Sequence, residues 1–262
     1  MPASKPIAIV QMGLPPESMR TPLGDQASWF ATALAKRPGE ILVAQPYLDL
    51  PLPEPDTFSV AVVTGSWSMV TDKEDWSERT AAWLRLLITS GKPLLGICYG
   101  HQLMAHAMGG VVDYLPGGGE YGTFPIALTP GGRQDPLLAS LPPTFMAHLS
   151  HAQGVLTPPP GAQVLGHTAH DRCQILRYGP NTLSLQFHPE FTADIISACM
   201  QRHGNSLPRD VRRIPDTSES RSILRRFVDT HTRGAAAAEP LHESHLTAVP
   251  AAAHQLSGTA HV

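Results

Sequence analysis

Between residues 6 and 108 the chain alternates short apolar runs with amphipathic segments, and this alternation fixes the class of fold. Pro6 to Gln11 carries Ile7-Ala8-Ile9-Val10 without a polar break. Glu40 to Gln45, Phe58 to Val63 and Leu94 to Cys98 repeat the pattern. Runs this short and continuous read as strands buried on both faces. Asp25 is placed to cap a helix through Trp29, Phe30, Leu34 and Ala35, ended by Pro38-Gly39. Glu74 to Ser90 reads as an amphipathic helix with Trp76, Ala82, Trp83, Leu86 and Leu87 on one side. Tyr99 to Met108 reads as a third, stopped by Gly109-Gly110. Strand, helix, strand, helix predicts an α/β fold, a mostly parallel sheet flanked by helices. Leu14 to Gly24 and Leu48 to Asp56 are proline-rich and read as loops.

The second half changes character. Gly122 to Leu128, Val164 to Ala169, Gln174 to Tyr178 and Thr182 to Phe187 are short alternating pieces separated by Gly, Pro and His. They predict added antiparallel strands and long loops. Thr192 caps a predicted helix to Met200, and Asp216 with Glu219 resembles a capping box before a last helix ending near Thr230. From Gly234 the chain is rich in Ala, His, Ser, Thr and Pro without apolar periodicity. Residues 234–262 are therefore expected to be a disordered tail, leaving 1–233 as one domain.

Composition narrows the classes of function. The formal net charge is -3, so the basic surplus of a nucleic-acid binder is missing. Hydrophobic residues make up 42% of the chain, enough for a sizeable core, yet no apolar run approaches the ~20 residues of a membrane span. Met1 to Lys5 leads into the first strand without a signal-peptide pattern. Cys98, Cys173 and Cys199 are an odd count without a C-x-x-C pair, which speaks against a disulfide framework or a structural metal site. A cytoplasmic location and no metal are the expectation.

Chemistry concentrates at Gly96-Ile97-Cys98-Tyr99-Gly100-His101-Gln102. A strand ends at Cys98 and a helix begins directly after it, with glycines two residues to each side. This is the pattern of a nucleophile elbow with Cys in place of Ser. Cys98 then sits at a helix N-terminus, which favours thiolate, and the Tyr99 N–H points to where an oxyanion would form. Cys173 and Cys199 lack this context and read as buried structural cysteines.

A cysteine nucleophile needs a base. Leu183 to Phe187 delivers His188 at a strand end, and Glu190 follows beyond Pro189, placed to orient the imidazole. Of the other twelve histidines, His231, His242, His245, His254 and His261 lie in or near the tail and read as solvated. His101, His106, His148, His151, His167 and His203 lack an adjacent acid, and His170 before Asp171 sits in a turn.

The elbow, followed ninety residues later by His188-Pro189-Glu190, resembles the class I (triad) glutamine amidotransferase family over roughly residues 5–200. The resemblance implies a flavodoxin-like fold and hydrolysis of a glutamine side-chain amide through a γ-glutamyl thioester on Cys98. His188 would be the acid/base and Glu190 its orienting carboxylate. Thr64-Gly65-Ser66-Trp67-Ser68 stands where the family has a second oxyanion donor. Ser66 would donate from its backbone and Gly65 would permit the turn, although Ser66 and Trp67 depart from the family's Gly-Pro context. Leu149 to Val155 stands where the family holds the glutamine α-groups, so Ser150, Ala152 and Gln153 would contact substrate, joined by Gln102. Gly117 to Gly122 is no phosphate loop, since it lacks the Gly-Lys-Ser/Thr ending and carries Glu120. It reads as a loop beside the site, with some likeness to the amidotransferase part of GMP synthases.

No cofactor is implied. The substrate would be glutamine or another γ-glutamyl compound. No P-loop or synthetase-sized stretch is present, so released ammonia would serve a separate synthetase chain. The alternatives are a stand-alone γ-glutamyl amide or peptide hydrolase, and a non-catalytic binding module on the same fold.

Overall fold

The computed structural model describes residues 5–204 and 214–233. The tail assigned to 234–262 lies outside the described residues. The apolar runs become β1 (Ile7–Val10), β2 (Ile41–Ala44), β3 (Val60–Val63) and β4 (Leu94–Ile97). β1 pairs in parallel with β2 and β3, and β3 with β4. Successive side chains enter opposite cores, as the pleat requires. Ile7, Ile9, Val60, Val62, Leu95 and Ile97 pack into one core, and Ala8, Val10, Ala61, Val63 and Leu94 into the other.

Helices cover both faces. α1 (Glu17–Leu23) occupies part of the stretch expected to be a loop. Pro16 stands at the N-cap, where no helical N–H is needed, Pro22 falls only in the last turn, and Met19 is buried beneath. α2 (Gln26–Leu34) follows, with Asp25 Oδ1 accepting the Ser28 N–H at 2.9 Å. α3 (Asp75–Thr89) and α4 (Tyr99–Ala107) cover the opposite face from α2. The buried face of α3 is Trp76, Ser77, Thr80, Ala81, Leu84 and Leu87. Ala82 and Leu86, expected on it, are exposed, because the 3.6-residue period carries them nearly half a turn away from its centre. Trp83 lies at the edge of the buried stripe, tilted on Phe58.

The second half supplies β5 (Val111–Tyr114), β6 (Glu120–Leu128), β7 (Thr144–His151), β8 (Gln153–Thr157), β9 (Gln163–His167), β10 (Ile175–Gly179) and β11 (Thr182–Leu185). β5, β7 and β8 were not anticipated as strands. The main sheet runs β2-β1-β3-β4-β11-β10-β9-β6-β7, and β5 pairs with β8 separately. The antiparallel addition is present from β10 onward, but β11 itself lies parallel to β4 and forms the seam between the two halves. α5 (Ala193–Arg202) is capped by Thr192. α6 (Ser218–Arg233) runs past the expected end and covers the α2 face. Asp216 does not cap it; its carboxylate lies 3.7 Å from Arg221. His231 belongs to this helix, its ring 4.7 Å from that of Phe227, rather than to a solvated tail. Among the described residues no helix is long and apolar enough to cross a membrane.

Candidate active site

The β4–α4 junction is the sharp turn that the glycine spacing predicted. Cys98 has φ 50° and ψ -101°, a strained conformation for a residue with a Cβ. The turn is tight enough that a Cβ on Gly96 would lie 2.7 Å from the Gly100 carbonyl oxygen. A Cβ on Gly100 would lie 2.6 Å from the Val63 carbonyl oxygen. Tyr99 opens α4, so its N–H is one of the donors that a helix start leaves without an intrahelical partner.

Parallel pairing of β11 with β4 registers Leu185 against Ile97, which brings the residues following each strand to one sheet edge. His188 therefore arrives beside Cys98. Its Nδ1 lies 2.7 Å from Glu190 Oε1, so Nδ1 carries the proton and Nε2 is left for the reacting groups. Both side chains are buried. Burial by itself disfavours the imidazolium, but the Glu190 carboxylate, and then Cys98, outweigh it and hold His188 well above the ordinary histidine range. The His188 ring stacks on Phe191 with centroids 3.8 Å apart. A Cβ on Gly65 would meet His188 Cε1 at 2.9 Å, so only glycine lets this loop close over the imidazole.

All ten site residues anticipated from the sequence line one open cleft: Gly65, Ser66, Cys98, Tyr99, Gln102, Ser150, Ala152, Gln153, His188 and Glu190. Ser66 Oγ accepts the Ser68 N–H at 3.1 Å, so its side chain shapes its own turn. Gln102 is buried, its amide donating to the Gln153 carbonyl at 2.7 Å and to Gln186 Oε1 at 3.0 Å. Ser150 presents its carbonyl oxygen 3.8 Å from Cys98 Sγ. Burial pushes the other two thiols up, Cys173 to about 11 and Cys199 to about 12, and keeps them protonated.

Sequence reasoning missed the rest of the lining. Trp29, Trp67, Tyr121, Phe191, His151 and His203 also face the cleft. Tyr121 belongs to the stretch read as a loop beside the site, where it starts β6 with Glu120 and stacks on His203 at 3.8 Å. His151 does have an acid partner, but Glu120 lies thirty-one positions away in sequence: Nε2 is 3.1 Å from Glu120 Oε2 and Nδ1 2.8 Å from the Gln153 carbonyl. Glu120, His151 and Asp171 bring ligand-type atoms within 4.8 Å of one another. His151 is bonded to Glu120, and the Gln174 amide bridges the two acids, donating to Glu120 at 2.9 Å and Asp171 at 3.1 Å. This buried group braces the β7–β8 turn that forms one wall of the cleft. Glu120→Ala leaves His151 Nε2 and one bond of the Gln174 amide without their carboxylate partner. It is expected to cost about 3–5 kcal/mol of folding stability, read from urea denaturation. A change under ~1 kcal/mol would show that the brace carries no weight.

The model of the family "Glutamine amidotransferase class-I" matches residues 59–199, the segment holding the elbow, the β7–β8 wall and His188. The chain belongs to this family. A glutamine-hydrolyzing GMP synthase subunit of Ignicoccus hospitalis is 36% identical over 169 residues, 64% of this chain and 85% of that relative. The glutamine-hydrolyzing GMP synthase of Aeropyrum pernix is 36% identical over 115 residues, 44% of this chain, and there the match spans only 22% of the relative's length. Gamma-glutamyl peptidase 5 of Arabidopsis thaliana is 27% identical over 152 residues, 56% of this chain and 59% of that protein. The crystal structure of a glutamine amidotransferase from Methylobacillus flagellatus superposes with a TM-score of 0.71 at 20% identity, covering 93% of this class-I chain and all of that one. The mostly parallel sheet flanked by helices is thus the fold of class-I amidotransferases.

Proposed function

We propose that this chain hydrolyses the side-chain amide of glutamine through a γ-glutamyl thioester on Cys98, and that residues 1–233 form the domain that does so. The observation that carries this reading is the convergence of Cys98, on its strained turn, with a buried His188 bonded to Glu190 at 2.7 Å. The Cys98 thiolate attacks the γ-carbonyl carbon. The oxyanion accepts from the backbone N–H groups of Ser66 and Tyr99. His188 Nε2–H protonates the departing nitrogen, the C–N bond breaks and the thioester forms. Water then attacks, giving its proton to His188, and glutamate leaves as the C–S bond breaks. Gln102, Gly65, Ser150, Ala152 and Gln153 hold the glutamyl part, largely through the wall they form around Cys98. By analogy with the Ignicoccus relative, which carries the name of one component of a synthase, the ammonia passes to a separate synthetase chain.

A second reading, a hydrolase of other γ-glutamyl amides with water as final acceptor, is favoured by Trp67. The loop after β3 carries this bulky ring into the cleft, and the likeness to a gamma-glutamyl peptidase points the same way. The test is incubation of the purified chain with glutamine, in the presence and absence of hydroxylamine. Ammonia release together with γ-glutamyl hydroxamate, the product of trapping the thioester, is the expected result. No ammonia and no hydroxamate from glutamine, and no methylamine and no hydroxamate from γ-glutamyl methylamide, above a protein-free control, would overturn it.

A further inference from the structure

A series of ring contacts leads outward from the reacting histidine. His188 stacks on Phe191 at 3.8 Å with the planes 12° apart. Phe191 meets Trp29 edge-on at 5.7 Å, and Trp29 meets Trp67 edge-on at 6.4 Å. Phe191 and Trp29 are buried, while Trp67 is half-exposed at the mouth. Trp29 is fixed in place by its Nε1–H, which donates to the Leu23 carbonyl at 2.6 Å. Tyr121 on His203 forms a second stacked pair lining the same cleft. Hydrolysis of glutamine uses none of these rings, because its leaving group is ammonia.

A leaving amine must start within reach of His188, so any substituent it carries lies along the wall that continues from His188. Among the described residues lining the cleft there is no Lys or Arg, and the one carboxylate, Glu190, is buried and bonded to His188. The wall offers flat apolar surface and no fixed charge, which suits an aromatic ring and not a charged group.

We propose that this cleft has a leaving-group subsite, formed by Phe191, Trp29 and Trp67, that takes the aromatic ring of an uncharged arylalkylamine in γ-glutamyl linkage. The inference rests on the thioester reading of Cys98. The bonds made and broken are those already given, with the amine leaving in place of ammonia and carrying the proton from His188. The products are glutamate and the free arylalkylamine.

The experiment compares kcat/KM for three amides: γ-glutamyl phenethylamide, γ-glutamyl methylamide and γ-glutamylphenylalanine. The first should exceed the second about 10- to 100-fold, the scale on which an apolar pocket discriminates. The third, which adds a carboxylate beside the ring, should fall below the first. Trp67→Ala should collapse the phenethylamide-to-methylamide ratio toward one, and Trp67→Phe should restore most of it. Equal kcat/KM for the first two amides in the wild type, with glutamine turned over, overturns the subsite and leaves the thioester reading standing. A wild-type preference that persists in Trp67→Ala also overturns it. No release from any of these amides or from glutamine overturns the thioester reading itself.

Discussion

Cys98→Ala is expected to abolish turnover of glutamine and of every other γ-glutamyl amide while leaving the fold in place. The thioester needs a sulfur at this position, and no other group in the cleft stands on the strained turn facing His188. Loss of the nucleophile from a comparable catalytic unit costs on the order of 10⁶-fold in kcat. Cys173 and Cys199 offer no substitute, since burial keeps their thiols protonated. Alanine keeps the Cβ and changes little of the packing, so the thermal midpoint should stay within about 4 °C of the wild type. Ammonia release measured beside hydroxamate trapping decides the matter. A folded Cys98→Ala protein that retains more than about a hundredth of wild-type turnover would mean that the sulfur is not the attacking atom.

Glu190→Gln is expected to lower kcat by about 10³- to 10⁴-fold. The precedent is a carboxylate that orients a catalytic imidazole, whose amide variant keeps the geometry and loses the correct tautomer. The sign of the accompanying pH effect follows from the buried histidine. Burial alone pushes the His188 imidazolium down, and the carboxylate is the leading group that holds it up. An uncharged amide removes that support, so His188 loses its proton at lower pH than in the wild type. The alkaline limb of the kcat profile should move to lower pH in the variant. A profile that keeps its position, or one that moves to higher pH, would assign the proton transfer to another group.

Much of this site was legible in the chain itself. Gly96 and Gly100 mark the elbow because no other residue tolerates the approach of two backbones there. Leu183 to Phe187 reveals the strand that carries His188, because Leu183, Leu185 and Phe187 recur at the strand period. β5, β7 and β8 escaped for a physical reason. β7 alternates Phe145, Ala147 and Leu149 with Met146, His148 and Ser150, a weaker signal than a continuous apolar run. On α3, hydrophobicity and the helical period point to different faces, and the period wins, leaving Leu86 exposed. The aromatic wall and the Glu120–His151 brace were not legible at all. Their members come from α2, the β3 loop, β6, β7 and the segment after β11, and only the folded sheet brings them together.

The seam at β11 has a consequence for the life of the polypeptide before it is finished. Leu94 pairs with Thr182, so the strand that carries the base docks only after the whole antiparallel half has been made. A ribosome-bound chain that ends at β10 already contains the thiol but has neither imidazole nor carboxylate to activate it. Contacts this distant along the chain form slowly, because a long loop must close before they are rewarded. Under the proposed mechanism, assembly order thus acts as a safety catch, keeping Cys98 without its base until the last central strand is in register.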